Sequence, residues 1–149
     1  IRGKAYIVGS YEHPDRVIPD KSVSQIHAEV CIGALKDAGL RLSDVDGLFY
    51  TGQLSMGGTA LSDYLGLTNV QYLDTTMTGG SSPVFQIGHA AAAIAMGKCK
   101  IALVSLAARP KSERQAARQC GLKHCRAQRL VKQLCAAVAL SPPATLSRG

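Results

Sequence analysis

Residues 74–86 read DTTMTGGSSPVFQ, and this stretch joins two apolar segments of different periodicity. Before it, Val70–Leu73 (VQYL) has the β-branched and aromatic content of a short strand. After it, apolar residues recur at helical spacing, namely Val84, Ile87, Ala91 and Ile94. The glycines and hydroxyl residues between the two segments favour a tight turn. The stretch therefore predicts a strand–turn–helix unit.

The same alternation of strand and helix patterns extends in both directions along the chain. The further predicted strands are Lys4–Gly9, Val45–Tyr50 and Lys100–Ala107. The further predicted helices are one that follows a cap at Ser22 and a short one over Thr59–Leu65. The resulting order is βαβαβαβ, and the run KIALVSLA at the last strand is apolar enough for a strand covered on both faces. This order predicts an α/β layered fold.

Local signals mark where the two longer helices begin and end. Ser22 and Gln25 have the spacing of a capping box, and Gly39 stands where a left-handed cap ends a helix. In the turn, Ser82 is predicted to cap the next helix, with Pro83 at its first position. Gly97 is predicted to close that helix.

The composition divides the chain near residue 110. Residues 1–110 carry nine Lys/Arg and nine Asp/Glu, whereas residues 111–149 carry eight Lys/Arg and one acid, Glu113. The net charge of +7 therefore belongs to the second segment, which also lacks all seven aromatic residues. We interpret residues 1–110 as one α/β unit and residues 111–149 as a basic tail with helical potential around Ala127–Ala139.

Several classes of protein are disfavoured by the sequence. No apolar run approaches the roughly 18 residues of a membrane span, and no signal peptide is visible. The five cysteines form an odd set, which favours a reducing compartment and predicts a cytoplasmic protein. The chain begins at Ile1, so we expect the native start to be missing.

A family resemblance rests on several motifs in order. GKAYIVGSYEHP, HAEVCIGALKDAGL, DVDGLFYTG, the TGGSS turn and GHAAAAIAMGKCKIALVSLAARPKSE together resemble the N-terminal half of thiolase-superfamily proteins, over about residues 3–113. The sterol-carrier-protein-x-like branch, often called acetyl-CoA acetyltransferase or lipid-transfer thiolase, is the most similar. The resemblance implies the first half of an αβαβα fold, CoA thioester substrates and no further cofactor.

In that family the nucleophilic cysteine lies at the start of the third helix, in a pattern like Cys-x-x-Gly-Ser. When this pattern is aligned with residues 77–81, Met77 occupies the position of the cysteine, and a thioether has no thiolate form. Cys99 lies beyond the far end of the same helix. The resemblance thus leaves the catalytic residue unassigned and implies that Thr78, Gly79, Gly80 and Ser81 line a substrate site. The resemblance also implies that some members of this branch lack the cysteine and act as retro-aldolases on CoA-linked side chains or as non-catalytic partners.

Two interpretations of the turn stay open. Residues 75–82 either only cap a helix, or they also present the backbone N–H groups of Gly79, Gly80 and Ser81 to a thioester or phosphate. A serine nucleophile at Ser81 or Ser82 is disfavoured, because no neighbouring base can be identified from spacing.

Other residues with reactive side chains receive modest assignments. His89 is predicted to be a packed, hydrogen-bonded helix residue, and His13 and His27 show no spacing signal. The loop Met56-Gly57-Gly58 resembles a flexible edge of a site.

In the tail, Cys120, His124, Cys125 and Cys135 match no strong zinc pattern, so no metal site is predicted. Nucleic-acid binding by the tail is disfavoured because no aromatic side chains accompany its charges. Its composition instead suggests translation in a shifted frame, or disorder. Translating the gene in its other two frames would test this, and a failure to recover second-half motifs would exclude it.

The sequence as a whole predicts a truncated thiolase-like protein of acyl-CoA or sterol-CoA metabolism. Its full-length relatives would transfer acyl groups or cleave C–C bonds, as homodimers or hetero-oligomers, while the fragment would be inactive. The alternative is a non-catalytic CoA- or lipid-binding partner, or a retro-aldolase component without the cysteine.

Overall fold

A computed structural model of the chain describes residues 2–15, 17–52, 57–108 and 134–139. In chain order its elements are β1 (Tyr6–Glu12), α1 (Val23–Ala38), β2 (Gly47–Gly52), α2 (Gly57–Leu65), β3 (Tyr72–Thr75), α3 (Ser82–Ala95), β4 (Ile101–Ala107) and β5 (Leu134–Ala139). The predicted βαβαβαβ order is confirmed through β4. The predicted starts of β1, β2 and β3, at Lys4, Val45 and Val70, each lie two residues before the start that the structure shows. The predicted start of β4, at Lys100, lies one residue before the observed start.

The described strands form one sheet in the order β1-β5-β4-β2-β3. β2 pairs in parallel with both β3 and β4, and β5 pairs antiparallel with β4 and with β1. The carboxyl ends of β2, β3 and β4 therefore lie at one edge of the sheet. In sheets of this kind that edge is where ligands bind.

β5 lies in the segment for which the sequence predicts helical potential over Ala127–Ala139. That prediction is wrong for Leu134–Ala139, which form a strand between β1 and β4. Backbone hydrogen bonds from two neighbouring strands outweigh the local helix preference of an alanine-rich run. Residues 109–133 and 140–149 lie outside the described residues, and the shifted-frame hypothesis stays a prediction.

The core lies on both faces of the sheet, as expected of a layered α/β fold. On one face, α1 and α2 cover Leu48, Tyr50 and Leu103. On the other face, α3 covers Phe49 and Val104. Alternate residues of β2 thus point to opposite helical layers.

The ends of α1 agree with the sequence prediction. Ser22 Oγ accepts a hydrogen bond from Gln25 N, and Gln25 Oε1 accepts one from Ser22 N, so the capping box is confirmed. Gly39 ends the helix in the left-handed conformation, with φ of 68°.

Asp46 joins the start of three strands. Its buried carboxylate accepts hydrogen bonds from Lys100 N and Ile101 N at 2.8–2.9 Å, just before β4. Its backbone oxygen accepts from Gln71 N and Tyr72 N, at the start of β3. One acidic residue thereby holds the amino-terminal ends of the parallel strands together, opposite the edge that carries the TGGSS turn.

Candidate functional site

The TGGSS turn connects the carboxyl end of β3 to α3, at the edge of the sheet where the parallel strands end. Gly79–Ser81 form one 3-10 turn that runs directly into α3, and Gly79 has a left-handed φ of 77°. The N–H groups of Gly79 and Gly80 belong to the first residues of this turn, where helical geometry offers them no carbonyl within the helix. A side chain at either glycine would meet open space.

Met77 precedes this 3-10 turn and is 65% exposed. Its thioether therefore faces solvent at the start of α3 instead of packing in the core. The position that the resemblance assigns to a nucleophile is accessible, although its occupant has no acidic proton and cannot attack a thioester in the way a thiolate does.

Ser82 has a different role from the predicted cap. The helix begins at Ser82 itself, so Pro83 is its second residue, and Ser81 at the cap position makes no side-chain capping bond. The prediction of a Ser82 cap is therefore wrong. The 3-10 turn continues into the helix, which places Ser82 within the helix and not before it.

The Ser82 hydroxyl instead stabilises the turn from inside. It is fully buried, accepts a hydrogen bond from Thr78 N at 2.8 Å and donates one to Gly79 O at 2.8 Å. Ser81 Oγ donates to Thr78 O at 3.3 Å. Both hydroxyl protons are thus directed at backbone carbonyls and not at a base, which agrees with the prediction against a serine nucleophile.

His89 pairs with Asp74 beside this turn. The distance from His89 Nδ1 to Asp74 Oδ2 is 2.7 Å, and Thr76 Oγ1 lies 3.3 Å from the same nitrogen. The His89 side chain is 48% exposed, so the predicted hydrogen bonding is confirmed but the predicted packing is wrong. Asp74 and Thr76 stand at the end of β3, and α3 brings His89 alongside them.

The contact assigns distinct roles to the two ring nitrogens of His89. A carboxylate accepts hydrogen bonds, so Nδ1 carries the donated proton and, in the neutral ring, Nε2 is the basic nitrogen. This arrangement fixes the ring and leaves Nε2 able to exchange a proton. The sequence did not predict the pair, because only the return of α3 along β3 brings residues 15 positions apart into contact.

A second histidine lies beneath the strand ends, on the opposite face of the sheet. His27 is fully buried, and its Nδ1 lies 2.7 Å from Ser105 Oγ on β4. Its ring packs on that of Tyr50, with a centroid separation of 5.0 Å. Burial lowers the pKa of His27 from 6.5 to about 4, so the ring is neutral near pH 7.

Two buried polar atoms near the end of β2 lack partners among the described residues, His27 Nε2 and Gln86 Oε1. Gln86 extends from α3, and its Nε2 donates to the backbone oxygen of Tyr50. This bond ties α3 to β2 just below the turn and helps to fix where the helix begins.

Gly52, the last residue of β2, leaves room for the buried polar groups on the α1 face. A Cβ placed there would lie 2.6 Å from Tyr50 Oη and 2.9 Å from His27 Nε2. Neither side chain has space to retreat into, since both are buried. A glycine is thus required at this strand end by close approach.

The remaining described histidine, His13, is buried against the partly exposed ion pair of Glu29 and Lys21. His13 Nε2 lies 2.9 Å from Glu29 Oε2, and Lys21 Nζ contacts both oxygens of the same carboxylate at 2.7–2.8 Å. The hydrogen bond from Lys21 is the main cause of a lowered pKa of Glu29. The three residues fix the loop before α1 and lie away from the turn.

The cysteines of the described core are unsuited to nucleophilic attack. Cys31 and Cys99 are both buried thiols. Burial, with a smaller contribution from the nearby Asp46 carboxylate, raises the pKa of Cys99 to about 11. Cys99 stands beyond the far end of α3, as the sequence indicates, so it cannot supply a thiolate to the turn.

The other predicted site features have mixed outcomes. Gly57 and Gly58 are the first residues of α2 and pack against Leu73 and Thr75 of β3, whereas Met56 lies outside the described residues. Cys120, His124 and Cys125 lie outside them too. Within the described part of the chain, no group of three or more potential metal ligands is found, and no helix is long and apolar enough to cross a membrane.

Structural comparisons identify the architecture. The chain is similar to the Ltp2-ChsH2(DUF35) aldolase, with a TM-score of 0.67 and 23% identity over 82% of this chain and 35% of that one. It is similar to a single-residue variant of Xanthomonas campestris OleA bound with cerulenin, with a TM-score of 0.71 and 14% identity over 94% and 59% of the two chains. The priming β-ketosynthase of the R1128 polyketide pathway gives a TM-score of 0.67 and 15% identity over 93% and 50%.

The fold is thiolase-like. These neighbours confirm the predicted fold class, and the chain spans between about a third and three fifths of their length. No family model matches the chain, and no curated protein matches it by sequence. The similarity therefore establishes the fold alone.

Proposed function

We propose that this chain is the first half of a thiolase-like protein that forms or breaks a C–C bond in a CoA thioester without a cysteine nucleophile. The observation that carries the proposal is that a methionine, Met77, stands at the position where the resemblance places a nucleophilic cysteine. Met77 is exposed just before α3, and its thioether cannot form an acyl-enzyme. His89, paired with Asp74, lies 3.3 Å from the hydroxyl of Thr76, the residue before Met77.

Bond cleavage of the retro-aldol type fits this set of groups better than thiolytic acyl transfer. Removal of a proton from the hydroxyl of a β-hydroxyacyl-CoA releases a carbonyl product, and the Cα–Cβ electron pair passes to the thioester as an enolate. Such a reaction needs a base and stabilisation of the enolate oxygen, but no nucleophile. Its substrate would be an acyl-CoA or sterol-CoA, as in the sterol-carrier-protein-x-like branch, with no further cofactor.

The exposed groups of the turn provide the proposed contacts to the thioester. Thr78, Gly79, Gly80 and Ser81 are all exposed, and both glycines let a ligand approach the backbone closely. In this proposal the Gly79 and Gly80 N–H groups bind the thioester oxygen. The exposed backbone of the turn would bind a thioester in this way without a change in its conformation.

A second candidate, a non-catalytic CoA- or lipid-binding subunit, is favoured by the apolar surface near the turn. Leu73, Val84 and Phe85 are 39–73% exposed. Among the described strands, β3 pairs only with β2 and so forms an edge of the sheet. An exposed edge with apolar neighbours is typical of a surface that another chain covers, and it supports the proposal of a homodimer or hetero-oligomer.

Acylation of a thiol introduced at position 77 tests the proposal. We expect the wild-type chain to bind octanoyl-CoA by calorimetry and to show no acyl adduct in the peptide that carries Met77. Met77→Cys should gain a 1:1 octanoyl adduct in that peptide, as the thiolate attacks the carbonyl and CoA leaves as a thiol. Thr68→Cys, at another exposed position, is the matched control and should stay unmodified.

Three outcomes separate the possibilities. Absence of octanoyl-CoA binding by the wild-type chain would contradict the proposed function. Binding without acylation of Met77→Cys would contradict the placement of the nucleophile position. Binding without turnover of a β-hydroxyacyl-CoA by the full-length gene product would favour the non-catalytic subunit.

A further inference from the structure

The pairing of His89 with Asp74 has a consequence for the chemistry of the turn. The ring is held from one side only, since both partners of His89, Asp74 Oδ2 and Thr76 Oγ1, contact the same nitrogen. The opposite nitrogen, Nε2, belongs to a side chain that is 48% exposed. A ligand can therefore reach Nε2 without disturbing the pair.

The position of the pair matches the site of the expected chemistry. Thr76 contacts the ring and is followed directly by Met77, the exposed residue at the nucleophile position. The other described histidines are occupied elsewhere, because His13 binds Glu29 and His27 is sealed in the core. Of the described histidines, His89 alone joins an oriented ring to an accessible nitrogen beside the turn.

We infer that His89 exchanges the α-proton of the acyl-CoA bound at this turn, with Asp74 and Thr76 as positioning residues. This inference rests on the proposed function and identifies His89 as the group that transfers the proton at Cα in the proposed reaction. In the cleavage direction, His89 Nε2 takes the proton of the β-hydroxyl group as the C–C bond breaks, and then gives this proton to Cα of the enolate.

The step balances without an added reactant. In the reverse direction, the Nε2 lone pair takes the α-proton, and the C–H electron pair moves into the thioester to give the enolate. The ring then carries a positive charge, and the Asp74 carboxylate 2.7 Å from Nδ1 stabilises that charge. Return of a deuteron from D2O completes an exchange that leaves the acyl-CoA otherwise unchanged.

Deuterium incorporation into acetyl-CoA tests this role, with binding measured in parallel by calorimetry. Exchange needs only the bound thioester and the base, so we expect it even of a fragment that does not turn over a complete substrate. The wild-type chain in D2O should exchange the acetyl protons faster than buffer, as followed by mass spectrometry. His89→Asn should bind acetyl-CoA with unchanged affinity yet lose about 100-fold of the exchange rate, the usual contribution of a general base. The asparagine amide can still donate to Asp74, so a purely structural role would leave the rate unchanged.

Two further variants separate proton transfer from positioning. Asp74→Asn should lower the exchange rate by less than His89→Asn and should shift the His89 tautomer, which long-range ¹H–¹⁵N spectra report. His13→Asn changes a paired histidine away from the turn and should exchange like the wild type.

The possible results are distinguishable. Binding with no exchange by the wild type, or equal rates for wild type and His89→Asn, would overturn the role of His89 and leave the proposed function standing. A wild-type spectrum with the proton on Nε2 would also overturn it. Loss of acetyl-CoA and octanoyl-CoA binding altogether would overturn the proposed function and this inference together.

Discussion

His27 and His89 lie on opposite faces of the sheet, and each contacts a strand side chain through Nδ1 at 2.7 Å. His27 sits between α1 and the sheet with no exposed surface, and its partner is the neutral hydroxyl of Ser105. His89 is half-exposed beside the turn, and its partner is a carboxylate. The same side chain with the same bond length is thus structural on one face and available for chemistry on the other.

The difference follows from solvation more than from hydrogen bonding. Burial removes the water that would stabilise a charged imidazolium, and a hydroxyl partner does not compensate for this loss. At His89 the carboxylate of Asp74 orients the ring, and exposure keeps Nε2 accessible. We therefore expect variants on the α1 face to change stability and variants beside the turn to change chemistry.

The largest expected effect is the loss of stability on acidification, caused by His27. Its folded-state pKa of about 4 lies below the unfolded value of 6.5, so the unfolded chain binds more protons between these values. The contribution of the neutral His27 ring to the free energy of unfolding is fully present above pH 6.5, and it decreases by about 3 kcal/mol as the pH falls to 4. Urea unfolding followed by circular dichroism at pH 7 and pH 4.5 measures it.

The matched variant for this prediction is His27→Asn, which can still bind Ser105 but does not titrate in this range. Subtraction of the pH dependence of the variant's stability from that of the wild type removes the contribution of Glu29. Because the pKa of Glu29 is lowered in the folded chain, its protonation in acid also destabilises the fold. Equal slopes for wild type and variant would show that His27 is not the buried neutral group described above.

A smaller effect is expected from Gly52→Ala, also on the α1 face. The added Cβ would press on Tyr50 Oη and His27 Nε2, and overpacking of this kind costs about 1–3 kcal/mol. Gly88→Ala on α3 is the control, because its Cβ meets nothing within 4 Å and alanine favours a helix by about 0.5–1 kcal/mol. The midpoint temperature of thermal unfolding should fall for Gly52→Ala and rise for Gly88→Ala. Changes in the same direction would contradict the packing described at Gly52.

The smallest effect on stability is expected from His89→Asn. The Asp74–His89 pair lies at the surface, and exposed ion pairs contribute about 0–1 kcal/mol. The free energy of unfolding at pH 7 should therefore change by no more than about 0.5 kcal/mol, whereas the proton exchange rate should fall about 100-fold. A loss of stability as large as that of Gly52→Ala would make His89 a structural residue like His27.

Much of the fold could be predicted from local signals in the sequence. The capping box at Ser22 and Gln25 depends on residues three apart, and the apolar run of β4 reports burial directly. β5 could not be predicted, because an alanine-rich run becomes a strand only when β1 and β4 supply its hydrogen bonds. Asp46 likewise could not be assigned from local signals, because its carboxylate binds Lys100 N and Ile101 N, which are more than 50 positions away in the sequence.

The candidate site could be predicted only in part. The position of Met77 and the glycine turn came from motif order, but the pairing of Asp74 with His89 required the three-dimensional path of α3. Ser82 shows a related limit, because its spacing fits a cap while the 3-10 turn places it inside the helix. Contacts made across elements are set by packing and leave no periodic trace in the sequence.

The central claim is that the end of β3 and the start of α3 form the ligand-binding end of this fold. A titration of the ¹⁵N-labelled chain with acetyl-CoA, followed by amide chemical shifts, tests it most directly. We predict saturable shifts at Thr76–Ser81 and at His89, with little change at His27 and Ser105. Shifts confined to the α1 face, or none at saturating acetyl-CoA, would contradict the account.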